Sequence, residues 1–85
     1  MEKTKQELPK WFTGFNYDKG DTVTNPYSGQ SYELTAEELS MYDFITGANH
    51  LIEVGMHNDK MITDMRKGLT WFRKNNVEAY YVLLD

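Results

Sequence analysis

The chain contains no cysteine. That excludes a disulfide framework, a thiolate zinc site and a cysteine nucleophile. Also missing is any apolar run near the ~18 residues a membrane-crossing helix requires. The first ten residues are polar and lack the apolar stretch of a secretory leader. An excess of positive charge is absent too. Nine Lys and Arg stand against thirteen Asp and Glu, for a net charge of −4, and this does not favour nucleic-acid binding by the chain as a whole. Repeats, low-complexity segments and linkers are likewise missing. The expectation is a single cytoplasmic domain, with Met1 to Lys10 as a flexible tail and residues 11–85 as the folded unit.

Large rings are what the chain has in quantity. Six Tyr, four Phe and two Trp make it 14% aromatic, and five Met add to them. A short chain uses rings to reach enough buried area, since each buries ~150–250 Å². A surplus is available to a partner.

The expected fold class is α+β: a short three-stranded antiparallel meander packed on a helical hairpin, with a short C-terminal helix. Trp11, Thr13, Phe15 and Tyr17 alternate with Phe12, Gly14 and Asn16, the period of a strand. Asp18-Lys19-Gly20 reads as a turn in which glycine supplies a positive φ. Val23 flanked by threonines reads as a second strand, and Gln30 to Leu34 as a third. Between them, Asn25-Pro26-Tyr27-Ser28-Gly29 is the strongest turn signal in the chain. It is read as a rigid support rather than a ligand-binding loop.

Thr35-Ala36-Glu37-Glu38 has the form of a capping box. It opens a helix from Ala36 to about Val54, with Gly55 as its terminating glycine. Two apolar series share that helix: Leu39, Tyr42, Ile45 and Ile52 on one face, Met41, Phe44, Ala48 and Leu51 on the other. Gly47 beside Ala48 would let another backbone approach. Asn58 or Asp59 caps a second helix from Lys60 to about Lys74, with Met61, Ile62, Met65, Leu69 and Phe72 as its apolar stripe. Asn76 then starts a third helix, Val77 to Leu84, in preference to a strand.

Charge is unevenly distributed. Residues 33–55 hold five acids and no base, whereas Arg66, Lys67, Arg73 and Lys74 cluster in the second helix. The favoured reading makes these complementary neighbours within the hairpin, or solvated faces. A charged interface with a second chain is the alternative.

Three constellations bear on chemistry. His50, Glu53 and His57 stand at i, i+3 and i+7, ligand types for zinc or iron, but Gly55 interrupts their shared face, so no metal and no cofactor is expected. Glu37, Glu38 and Asp43 offer carboxylates, yet i and i+1 on a helix point apart, and capping accounts for Glu38. No nucleophile–base set and no phosphate-cradling glycine loop is present, and the chain is not read as an enzyme. Trp71 and Phe72, with Arg66, Lys67, Arg73 and Lys74, combine rings and bases suited to single-stranded nucleic acid.

Three stretches carry a family resemblance: Val23-Thr24-Asn25-Pro26-Tyr27-Ser28-Gly29 to Glu33-Leu34, Glu38-Leu39-Ser40-Met41-Tyr42-Asp43-Phe44-Ile45, and Gly68-Leu69-Thr70-Trp71-Phe72-Arg73-Lys74-Asn75-Asn76 to Glu78-Ala79-Tyr80. They resemble small uncharacterised proteins of marine bacteriophages, especially those infecting cyanobacteria. The resemblance implies a setting, the cytoplasm of an infected bacterium, and transfers no activity or site. The expected function is therefore non-enzymatic binding of a host or viral protein, with a homodimer as one form of it. Met41, Phe44, Ala48, Leu51 and Trp71 are the candidate interface. The alternative is a nucleic-acid-associated regulator acting through the basic second helix.

Overall fold

The computed structural model describes residues 6–84. Its elements, in order, are β1 (Asp21–Thr24), β2 (Ser31–Leu34), α1 (Ala36–Glu53), α2 (Asp59–Asn75) and α3 (Val77–Leu83). This is a small α+β fold.

Each helix starts where a side chain can accept the free backbone N–H groups of its first turn. Thr35 accepts from the Glu38 N–H while the Glu38 carboxylate accepts from the Thr35 N–H, so both halves of the capping box form. Asn58 accepts from the Met61 N–H and Asn76 from the Ala79 N–H. α1 ends in a Schellman arrangement. Gly55, at φ +80°, donates to the Ile52 carbonyl, and Met56 donates to the Leu51 carbonyl. That conformation is one glycine adopts without a Cβ penalty.

The expected three-stranded meander is corrected to a hairpin. β1 pairs antiparallel with β2, Val23 opposite Tyr32 and Asp21 opposite Leu34, and no third strand forms among the described residues. The alternation from Trp11 to Tyr17 has another cause. Trp11 and Phe12 both turn their rings to Phe44, which neighbours on a strand, pointing to opposite faces, would not do. A tight turn, the Phe12 N–H donating to the Pro9 carbonyl at 3.0 Å, lets both rings reach Phe44 on α1, at centroid distances of 5.9 and 5.5 Å. The Tyr17 N–H donates to the buried Ser40 hydroxyl of α1 at 2.9 Å and has no strand partner. Gly20 is corrected as well. Its φ is not positive; a Cβ there would collide with the Leu34 carbonyl. Glycine is needed for the close approach of two backbones.

The core is formed by Leu34, Met41, Ile45, Phe72, Ala79 and Leu83. α1 and α2 pack tightly at Gly68, where an added Cβ would lie 3.0 Å from Met41 Sδ and 3.2 Å from Ile45 Cγ1. At Gly47, expected to admit another backbone, no described part of the chain comes within 4 Å of an added Cβ. Of the N-terminal segment expected as a tail, residues 1–5 lie outside the described residues. Leu8 packs against the core, and the Glu7 carbonyl accepts from Trp71 Nε1 at 3.0 Å.

Candidate functional site

A groove of about 350 Å³ runs between the hairpin turn and the helices. Tyr42 and Ile45 of α1, Met65 and Leu69 of α2, and Leu83 and Leu84 at the end of α3 supply its apolar wall. Thr46 and Asn49 add a hydroxyl and an amide, and Asn25, Pro26 and Tyr27 form the remaining edge. None of these side chains carries a formal charge. The lining suits an apolar side chain flanked by backbone polar groups, and it offers no nucleophile with an adjacent base.

The turn that forms the edge is held from two directions. Within the turn, Asn25 Oδ1 accepts from the Tyr27 N–H at 2.8 Å and from the Ser28 N–H at 3.4 Å, and Gly29 closes it at φ +77°. Across the fold, Asn25 Nδ2 donates to the Val82 carbonyl of α3 at 2.9 Å. The braced turn presents Tyr27 with 96% of its surface exposed. Asn25 and Gly29 are thus the support that the sequence indicates, while Tyr27 is a ring held in solvent. Its signal in the sequence was a large aromatic at the tip of an Asn-Pro-x-x-Gly turn, where no core is within reach. Burial pushes the Tyr42 phenol above its ordinary pKa. The Tyr32 phenol is raised too, first by burial and then by the nearby Glu78 carboxylate, which accepts its hydrogen bond at 3.2 Å.

The residues singled out in the sequence fall into four groups. The proposed interface face of α1 is largely filled within the chain: Met41 and Ala48 are buried, and Phe44 is covered by Trp11 and Phe12. Leu51 and Trp71 are half-buried. Burial removes Met41 and Ala48 as dimer contacts, while Phe44 is half-buried like Leu51 and Trp71. His50, Glu53 and His57 are all exposed, α1 stops at Glu53, and no group of three ligating side chains assembles among the described residues. Glu38 is only 3% exposed and Asp43 lies on the surface, so the acids of α1 do not converge.

Arg66, Lys67, Arg73 and Lys74 are all exposed on α2. Of the two expected arrangements, pairing of acidic α1 with basic α2 is not seen among the described residues, and the four bases lie on a solvated face. Among the described residues, the ion pair within 4 Å is Lys60 with Asp64, both in α2. Of the four acids of α1, Glu38 is buried, Glu37 half-buried in the first turn, and Asp43 and Glu53 exposed, and none lies within 4 Å of a described base. No described helix is long and apolar enough to cross a membrane. The chain matches no family model, and no curated protein or solved structure matches it significantly.

Proposed function

We propose that this is a non-enzymatic binding protein that engages a partner protein through the groove and the ring of Tyr27. The observation that carries the reading is an almost fully exposed tyrosine on a turn fixed by hydrogen bonds, beside an uncharged apolar groove. A chain short of core does not leave a large ring in water without cost. Tyr is among the residues that dominate protein–protein binding energy, most of all when pre-positioned beside a pocket. The partner is a host or viral protein in the cytoplasm of an infected bacterium, the setting the family resemblance implies.

A photo-crosslinking amino acid at position 27 tests this, with the same probe at Gly47 on the solvent face of α1 as control. The expected result is one discrete protein adduct in host lysate from position 27 and none from position 47, lost when unlabelled protein competes. Equal, diffuse labelling from both positions would refute the reading. An adduct of twice the chain mass with purified protein alone identifies a second copy as the occupant.

A further inference from the structure

The exposed face of α2, beside and beyond the groove, carries a second surface. Helical geometry of 100° per residue sets Arg66 and Arg73 in one row and Lys67 and Lys74 in another, with Thr70 between them. The two residues of each row are about 10.5 Å apart along the axis. All four bases are exposed, and none has a carboxylate within 4 Å among the described residues. Rings bound both margins. Lys67 Nζ lies 5.9 Å from the Trp11 centroid, and the Arg73 guanidinium 5.9 Å from that of Tyr80. Tyr81, 60% exposed, stands edge-on to Tyr80 at 5.7 Å and extends the aromatic margin into solvent.

We propose that this face of α2, with Tyr80 and Tyr81 at its α3 end, binds the phosphate backbone of a short stretch of single-stranded nucleic acid. The net charge of −4 does not oppose this, because the charge is segregated. With these four set aside, five bases face thirteen acids in the rest of the chain. A polyanion is therefore attracted along about two turns of one helix and repelled elsewhere, which limits the footprint to three or four phosphates. That is too narrow for a duplex, which presents charge on two strands. Rings at the margin favour unpaired bases, whose faces are free to stack. An acidic peptide would use the charges and leave Tyr81 without a role.

Fluorescence anisotropy with a labelled oligothymidylate measures the binding. Binding is expected at low salt, with log K falling against log salt at a slope of about −2 to −3, the value for three to four phosphates on a single strand. The double variant Arg73→Gln, Lys74→Gln should flatten that slope by about 1.4. Tyr81→Ala should weaken binding about tenfold at unchanged slope, through lost stacking. All three positions are exposed, and circular dichroism verifies that the variants remain folded. Absence of binding at low salt overturns the proposal. So does a slope indifferent to the charge variant, or competition by polyglutamate as effective as that by unlabelled oligonucleotide, which would assign the face to an acidic protein.

Discussion

Glu38→Ala is the perturbation that most directly tests how this small fold holds together. The carboxylate is buried and has no ion-pair partner among the described residues. Three neutral donors meet it instead: the Thr35 N–H on Oε1 at 3.0 Å, and Gln6 Nε2 and Asn76 Nδ2 on Oε2 at 2.7 and 3.1 Å. They come from the N-terminal segment, the start of α1 and the α2–α3 junction. Hydrogen bonds to a charged group contribute ~1.5–3 kcal/mol each, so the gross loss is about 5–9 kcal/mol. Removing the carboxylate also removes the cost of burying it, several kcal/mol. The net expectation is a loss of about 2–4 kcal/mol, against a total stability of about 4–13 kcal/mol for a chain of this length. Thr35→Ala, which removes the other half of the capping box, should cost about 1 kcal/mol.

The isosteric Glu38→Gln is informative because neither amide partner is free to flip. Asn76 Oδ1 is occupied in capping α3, and Gln6 Oε1 accepts from the Thr35 hydroxyl at 2.6 Å. An introduced NH₂ group would therefore face donors, at about 1–3 kcal/mol. Urea denaturation of the wild type and the three variants gives the comparison. If Glu38→Ala costs no more than Thr35→Ala, the carboxylate is an ordinary cap and the reasoning fails.

Gly47→Ala and Gly68→Ala should separate, although both place alanine inside a helix. At Gly47 a Cβ meets open space, and thermal denaturation should show a gain of about 0.5–1 kcal/mol. At Gly68 the same intrinsic gain is offset by crowding against Met41 and Ile45, for a net loss of up to about 2 kcal/mol. Alkaline unfolding should involve Tyr42. Burial raises its folded-state pKa above the unfolded value of about 10, so stability is full below about pH 10 and declines as pH rises toward the folded pKa. Urea midpoints at about pH 8 and about pH 11 should fall less in Tyr42→Phe than in the wild type, and an equal fall would exclude the phenol as a contributor.

The helices were legible because their boundaries are written in local chemistry. Thr35 with Glu38, Asn58 and Asn76 each satisfy a neighbour three residues away, and Gly55 takes the conformation that ends α1. Nothing beyond the local window is needed to read these. The segment from Trp11 to Tyr17 was misread because its alternation is produced by distant contacts. Trp11 and Phe12 are directed to Phe44, more than thirty residues on, and Tyr17 to Ser40. Local periodicity does not distinguish a ladder from two rings wedged on a helix. Glu38 was legible as a cap but not as a junction, since its other two donors are 32 and 38 residues away. The groove was half legible: its apolar wall follows from the helix stripes, whereas its edge depends on the Asn25–Val82 hydrogen bond spanning 57 residues.

The placement of the two surfaces on α2 bears on how the chain can work. Met65 and Leu69 line the groove; Arg66 and Arg73 flank them on the exposed surface, and Lys67 and Lys74 stand on the far side. A helix is stiff over this length, so the two surfaces keep a fixed orientation. They differ in kind as well: the groove lining is uncharged, and the outer face is charged and hydrated. Salt therefore acts on one and barely on the other, because screening weakens exposed charge interactions while apolar burial remains. Raising ionic strength should release an anionic ligand from α2 while leaving an adduct at Tyr27 in place. Under the two proposals, α2 would be the rigid element between two chemically different ligands.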